Sequence, residues 1–294
     1  MILYYAIGGG LGHLTRARAL LHTLRRGERA TIVTASRFAK IPDVAGDAEI
    51  IMAPPELGED REGAGIWLND IITGIGPEEI FIDTFPAGIL GELRGMKFPS
   101  ATRLHHVARL LRWDRYLPII SGDAPHYSTT FRAEPLTEPH AAWLAGHSEE
   151  MVDLTLNDPP TPHDPEQILR TALPAWNGER PLWLVIHSEP IAELLELIGY
   201  ARELAAMEDI DPLLAIVTPL PVEGLPPEIP LLHMVPSSIL FPLAARIITG
   251  CGFNAMRQTE PHRERHHCIP FPRRYDDQFL RGARRRATSR PSPP

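Results

Sequence analysis

The chain has 294 residues, 44% of them apolar and 22% charged, with a formal net charge of −8. That is enough chain for two modest globular domains, and no apolar run approaches the length of a membrane span, which excludes an integral membrane helix protein. The first apolar strand has no basic stretch ahead of it, so the chain reads as cytoplasmic rather than exported, and two cysteines without a CxxC or Cys/His pattern read as reduced structural thiols.

In chain order, Ile2 to Ile7 predicts a buried strand, Gly8-Gly9-Gly10-Leu11-Gly12 a turn, and His13 through Arg26 an amphipathic helix with Leu14, Ala17, Leu21 and Leu24 inward. A dinucleotide-binding turn would want G-x-G-x-x-G and an acidic residue closing the second strand. His13 stands where the third glycine would be, and the strand Ala30 to Ala35 ends without a carboxylate, which argues against a nicotinamide cofactor. At the start of a helix, the dipole disfavours a protonated His13, so it suits the role of a neutral base; a capping or packing role is the alternative. Asp83 closes the strand Glu79 to Asp83, where it can orient such a histidine, touch a substrate, act as the base itself, or cap the next helix. Strands near residues 2, 30, 48, 79, 101, 117 and 151 alternate with helices.

The polar, proline-rich stretch from Asn157 to Pro165 reads as a linker, giving domains at 1–157 and 166–286 and a disordered tail at 287–294. Strands follow at 182–186, 213–217, 231–235, 246–249 and 266–270, so the expected fold class is α/β, with two Rossmann-like, doubly wound domains. In the second domain, Leu182 to Ile186 runs into His187-Ser188-Glu189-Pro190, and a later strand ends in Thr249-Gly250-Cys251-Gly252-Phe253-Asn254. Free N–H groups at a helix start hold phosphate, glycines allow close approach, and Asn254 can cap the helix or donate to a phosphate oxygen. After Pro270 and Pro272 come Asp276, Asp277 and Gln278; a carboxylate and an amide together match vicinal sugar hydroxyls, although acids at a helix start are the plainer reading. Diphosphate plus hydroxyls is what a sugar nucleotide presents. From residue 263 to 290 nine arginines face only Glu264, Asp276 and Asp277, which fits a diphosphate, an anionic membrane surface touched peripherally, or a solvated tail. Nucleic acid is disfavoured because few aromatics interleave, and His262, His266, His267 and Cys268 match no standard zinc spacing, so no metal is expected.

These segments resemble the GT-B class of sugar-nucleotide-dependent glycosyltransferases, whose C-terminal domain carries a Cys-Gly-Trp-Asn-Ser stretch, then Glu, then Asp-Gln. Here the run is Cys251-Gly252-Phe253-Asn254-Ala255, then Gln258 and Glu260, then Asp277-Gln278. Gly250 stands where plant-type members have a phosphate-binding histidine, and Gln258 where they have a ribose-binding glutamate. The Gly-Gly-x-Gly-His turn also looks like the first loop of the N-acetylglucosaminyltransferase that makes the lipid-linked peptidoglycan precursor, and Asp83-Thr84-Phe85-Pro86-Ala87-Gly88 like a segment of other glycosyltransferases. The resemblance implies metal-independent, inverting transfer of a hexosyl or N-acetylhexosaminyl group from a UDP- or TDP-linked sugar to a hydroxyl acceptor, with no cofactor. It implies His13 as base, with Asp83, and donor contacts at Gly10, Gly12, Ser188, Gly250, Gly252, Asn254, Gln258, Glu260, Asp277 and Gln278. A sugar-nucleotide 2-epimerase and a non-catalytic sugar-nucleotide-binding relative share this architecture, while the acceptor and the oligomeric state are not legible in these motifs.

Overall fold

The computed structural model describes all residues except Arg26, Ser121, Ala175, Glu189 and 288–294. The chain divides into two compact units, Met1–Pro159 with Arg274–Asp277, and Pro160–Arg273 with the residues from Gln278 on. The carboxylates Asp276 and Asp277, which sequence order places in the second domain, therefore cluster with the first unit. Most of the tail expected from Ala287 lies outside the described residues; Ala287 itself closes the last helix.

The first unit runs β1 (Ile2–Ala6), α1 (Leu11–Leu24), β2 (Ala30–Thr34), β3 (Glu49–Met52), α2 (Arg61–Ile75), β4 (Glu79–Asp83), β5 (Arg103–Ala108), a short helix α3 (Trp113–Tyr116), β6 (Tyr127–Arg132), α4 (Glu138–Ala145) and β7 (Ser148–Asp153). Its seven strands lie in the order β3-β2-β1-β4-β5-β6-β7, every pair parallel. Strands β1, β2 and β4 are buried along their whole length, as the centre of a sheet covered on both faces requires, whereas every residue of the edge strands β3 and β7 is half-buried or exposed. Leu3, Tyr5, Val33, Ile80 and Ile82 pack against Leu68 and Ile72 of α2 on one face. At ~25 cal/mol per Å² of apolar surface, each such side chain contributes about 1.5–3 kcal/mol.

Two expectations need correction here. Among the described residues no strand forms near 117: Trp113–Tyr116 makes a helical turn, the Trp113 ring stacked on His140 at 4.2 Å, and Pro118 follows, which denies a sheet ladder a donor. The strand at Tyr127–Arg132 was not anticipated, because Ser128, Thr129 and Thr130 dilute its apolar alternation; Tyr127 anchors it by donating to the Pro86 carbonyl. Helix α1 spans Leu11–Leu24 rather than beginning at His13, and its fully buried positions are Leu14, Arg16, Ala17, Ala19 and Leu20, with Leu21 and Leu24 half-buried.

His140 is fully buried, and neither ring nitrogen has a partner among the described residues. Burial pushes its pKa down to about 3, with His106 nearby adding to the effect, so the folded ring is neutral while the unfolded ring titrates near 6.5. A lowered folded value means stability is full above about pH 6.5 and is lost as pH falls toward the folded value, by about 1.4 kcal/mol per pH unit for this one group. Urea unfolding of His140→Phe is therefore expected to show about 2 kcal/mol less loss between pH 7 and pH 5 than the wild-type chain. An unchanged pH slope would contradict this.

The second unit runs α5 (Pro165–Ala172), β8 (Leu182–Ile186), α6 (Ile191–Glu208), β9 (Leu213–Thr218), β10 (Leu231–His233), β11 (Arg246–Gly250), α7 (Phe253–Gln258), β12 (His266–Ile269) and α8 (Gln278–Ala287). Its sheet has the order β10-β9-β8-β11-β12, again all parallel, with one face packed on Leu169, Leu240 and Phe241 and the other on Leu194, Leu197 and Ile198 of α6. No described helix is long and apolar enough to cross a membrane.

Candidate functional site

In an open parallel sheet the crevice for a ligand opens at the carboxyl ends of the strands, where the strand order reverses. In the first sheet that point lies between β1 and β4: the chain works outward through β2 and β3 on one side and through β5, β6 and β7 on the other. His13 stands two residues into α1, in the turn after β1, and Asp83 is the last residue of β4. Their side chains meet, with His13 Nδ1 2.6 Å from Asp83 Oδ2.

Asp83 is fully buried and saturated with donors. Arg16, one helical turn beyond His13, grips it with both arms of its guanidinium, Nε to Oδ1 at 2.6 Å and Nη2 to Oδ2 at 2.5 Å; the Tyr4 hydroxyl donates to Oδ1 at 2.8 Å. Burial alone would raise the Asp83 pKa, but the Arg16 charge and the hydrogen bonds from His13 and Arg16 outweigh it and hold the carboxyl far below the usual range. An ionised Asp83 at 2.6 Å requires the proton of a neutral His13 to be on Nδ1, which leaves the lone pair on Nε2. Burial is the largest influence on His13 and lowers its pKa; Asp83 works upward, Arg16 and Arg109 downward, and the net value lies below the ordinary one. The side chain keeps 13% exposure. The site is thus a neutral, partly accessible imidazole oriented by a carboxylate that, with no exposed surface, cannot itself touch a substrate.

Two backbone features hold this pair. A Cβ built on Gly8 would lie 2.2 Å from His13 Nε2, so only glycine leaves the imidazole its place against the turn. Gly8→Ala is expected to keep the fold, because the rest of the sheet is untouched, yet displace the ring from Asp83; a histidine NMR signal for His13 unchanged in the variant would contradict this. Thr84 has φ +67, a left-handed conformation that costs a β-branched residue on the order of 1–3 kcal/mol. Its N–H donates to Val107 O at 3.0 Å and its carbonyl lies 3.3 Å from His106 Nε2. Its hydroxyl accepts from Arg16 Nη2 at 2.8 Å and Arg109 Nε at 3.0 Å and donates to Asp83 Oδ2 at 3.3 Å, using every valence of the oxygen. Further along the loop, Gly88 at φ +83 leaves room for the Glu92 carboxyl, which accepts from Tyr5 Oη at 2.7 Å.

In the second sheet the order reverses between β8 and β11. Gly250 ends β11 and packs closely, a Cβ there coming 3.2 Å from the Phe271 ring and 3.4 Å from His187, which follows β8. Gly252, by contrast, faces open space and is the N-cap of α7, with Asn254 inside the first turn rather than capping it. His187 Nε2 lies 2.8 Å from Glu193 Oε2, and Arg273 reaches both oxygens of the same carboxylate, Nη2 to Oε2 at 2.5 Å. Ser188 and Gln258 are half-buried, and Glu189 lies outside the described residues. Glu260 is exposed and paired with Arg285 and Arg263. Gln278 is buried, its Oε1 accepting from Phe271 N at 3.0 Å, so its carbonyl braces the turn after β12. Gly10, the extended N-cap of α1, faces open space as Gly9 does, and Gly12 lies in the first turn of that helix.

Of His262, His266, His267 and Cys268, the three histidines face different partners: His262 bonds to Arg265, His266 to Thr249 and Thr259, and His267 to Tyr200. Among the described residues no cluster of three or more His, Cys, Asp or Glu side chains has the arrangement of a metal site. Reading the sequence singled out His13 and Asp83 but missed Tyr4, Arg16, Thr84 and Arg109. Arg16 left a trace, a charged residue three positions from His13 on the apolar side of α1.

Two all-parallel, Rossmann-like sheets, each carrying polar groups at its switch point, define a GT-B glycosyltransferase-like fold. No family model matches the chain, and no curated protein matches it. Among solved structures it is similar to the glycosyltransferase SnogD from Streptomyces nogalater, at 16% identity over 96% of this chain and 84% of that one, with a TM-score of 0.59. It is likewise similar to the Streptomyces sp. SF2575 glycosyltransferase SsfS6 complexed with thymidine diphosphate, at 11% identity, covering 98% and 85%, with a TM-score of 0.55. The UDP-GlcNAc 2-epimerase from Neisseria meningitidis bound to UDP-GlcNAc aligns at 14% identity over 86% and 78%, with a TM-score of 0.54.

Proposed function

We propose that the chain is a glycosyltransferase that moves a sugar from a UDP- or TDP-linked donor to a hydroxyl acceptor. The observation that carries the reading is the His13–Asp83 pair at the switch point of the first sheet, 2.6 Å apart, which makes Nε2 the basic nitrogen of a side chain that keeps 13% exposure. Its fold is shared with a glycosyltransferase complexed with thymidine diphosphate and an epimerase bound to a UDP-sugar, which supports a sugar nucleotide as the ligand class.

In this reading His13 Nε2 takes the proton of the acceptor hydroxyl while that oxygen bonds to the anomeric carbon. The bond from that carbon to the diphosphate oxygen breaks, the electron pair leaves with the nucleotide diphosphate, and attack from the opposite face inverts the anomeric centre. The imidazolium that forms is stabilised by Asp83, and general-base help of this kind supplies typically 10²- to 10⁴-fold. Gly252 and Asn254 at the start of α7 serve the donor phosphates, with Ser188 and Gly250 beside them. In the second unit Gln258 and Glu260 are assigned to the ribose, while Gln278, buried with its Oε1 accepting from Phe271 N, braces the turn after β12; in the first unit Asp277 is assigned to the sugar and Gly10 and Gly12 to a donor loop of that unit. No step is assigned to a metal.

A second reading, 2-epimerisation, is favoured by one feature: a second imidazole–carboxylate pair, His187–Glu193, at the other switch point, since elimination and re-addition of the nucleotide needs paired acids and bases. Thermal unfolding with a panel of UDP- and TDP-sugars tests the ligand class. A ligand at 100 times its dissociation constant stabilises by about 2.7 kcal/mol, and no shift with any member of the panel would overturn the proposal. Epimerised sugar formed without acceptor would instead select the second reading.

A further inference from the structure

Residues Arg274–Asp277 cluster with the first unit although the residues on either side of them in the chain cluster with the second. What holds this strap is specific. Asp276 makes an antiparallel bridge to Leu111, Arg112 N donates to Tyr275 O at 2.6 Å, and the Tyr275 ring meets Phe85 and Tyr116 edge-on at 5.5 and 5.7 Å. Phe85 in turn lies against the His13 ring at 6.2 Å. Arg109, only 8% exposed, donates through Nη1 to Asp276 and through Nε to the Thr84 hydroxyl, the same hydroxyl that bonds Asp83.

We propose that Arg109 is a positioning residue that fixes the strap, and with it Asp277, relative to the His13–Asp83 pair. The inference rests on the reading of Asp277 as a sugar contact. One guanidinium bridges two groups that matter for opposite ends of the reaction: Thr84, which holds the carboxylate of the base pair, and Asp276, whose neighbour in the chain reads the sugar. Arginine suits this because its planar fork sends separate donors in fixed directions, whereas lysine offers a point charge on a flexible stem. The geometry also explains a strained threonine: the left-handed backbone at Thr84 turns its hydroxyl so that it accepts from Arg16 and Arg109 together.

The variants Arg109→Lys, Arg109→Gln, Asp276→Asn and the double variant Arg109→Lys with Asp276→Asn separate positioning from simple structural support. The charged groups around His13 are Asp83 on β4, Arg16 on its own helix and Arg109 after β5, with the Tyr4 hydroxyl of β1 behind Asp83. Arg109→Lys keeps the charge, so the acidic limb of the pH profile for release of nucleotide from UDP- and TDP-sugars stays in place while kcat falls about 10- to 100-fold, the cost of a misplacement near 1 Å. Arg109→Gln removes a cation near His13, so the His13 imidazole, followed by NMR and assigned by loss of its signal in His13→Gln, titrates at higher pH than in the wild-type chain. Asp276→Asn loses kcat as Arg109→Lys does, and the double variant loses no more than either single one, because both act through one bridge. Additive losses, an unchanged kcat in Arg109→Lys, or a kcat that merely follows loss of stability in urea would overturn the inference. So would an unmoved His13 titration in Arg109→Gln, which needs no substrate and is decisive whatever the turnover assays give. A wild-type chain inactive on every sugar nucleotide would fell the functional reading, and with it the role given to Asp277, while the titration would still decide the link from Arg109 to His13.

Discussion

Asp83→Asn is expected to cost the first unit about 3–5 kcal/mol and to remove most turnover. The carboxylate receives Arg16, His13, Tyr4 and Thr84, and its own side chain has no exposed surface. An amide keeps one acceptor oxygen and presents N–H groups to donors, so Arg16, 2% exposed, is left as a buried charge without its counter-ion. The pH dependence separates this from a general packing defect. A carboxyl whose folded pKa is depressed contributes in full above its unfolded value near 4 and loses its contribution only as pH falls below that. The difference between wild-type and Asp83→Asn in urea unfolding is therefore expected to be constant from about pH 7 to 8, to widen as pH falls through the His13 titration, because Asp83 raises that pKa in the folded chain, and to shrink below pH 4. A difference that varies across the neutral range would contradict the assignment. Because whole domains are stable by only about 5–15 kcal/mol, activity is to be read well below the urea midpoint of the variant.

His13→Ala is expected to lower turnover about 10²- to 10⁴-fold while leaving the affinity for a sugar nucleotide near that of the wild-type chain. The side chain contributes little to the core, lying partly exposed over Gly8 and against Phe85, so its loss leaves a surface gap rather than a buried cavity. Since the neutral ring is the active form and its pKa lies below the ordinary 6.5, wild-type activity is expected to rise with pH through a value under 6.5 and to be level above it. The variant loses that rise. An acidic limb that survives in His13→Ala would show that another group carries it.

The parts of this molecule legible in the sequence are those dictated by local burial. Ile2–Ala6, Ala30–Thr34, Glu79–Asp83 and Leu182–Ile186 are strands with almost every residue buried, and their apolar runs announce them. Tyr127–Arg132 was hidden because its neighbours β5 and β7 supply the context that three consecutive hydroxyl residues do not. His13 and Asp83 were each suggested by position at the end of a βα unit, but their partnership is made by sheet order, which brings residues 70 apart in the chain within 2.6 Å. Arg16 falls on the apolar side of α1, but its counter-ion, Asp83, comes from a strand 67 residues away and is set by sheet order. Thr84 carries no sequence signal for a left-handed backbone, since the interactions that stabilise it come from α1, β5 and Arg109. Asp276 read as an acid at a helix start, yet its partner is Arg109, 167 residues earlier.

The most direct measurement is release of nucleotide from UDP- and TDP-sugars by the wild-type chain and by His13→Ala at matched donor occupancy. If His13 is the base, the wild-type chain releases nucleotide, faster once a hydroxyl acceptor is found, and the variant binds the same donor but releases it at least a hundredfold more slowly. Equal rates in the two proteins, or tight donor binding with no release by either, would contradict it.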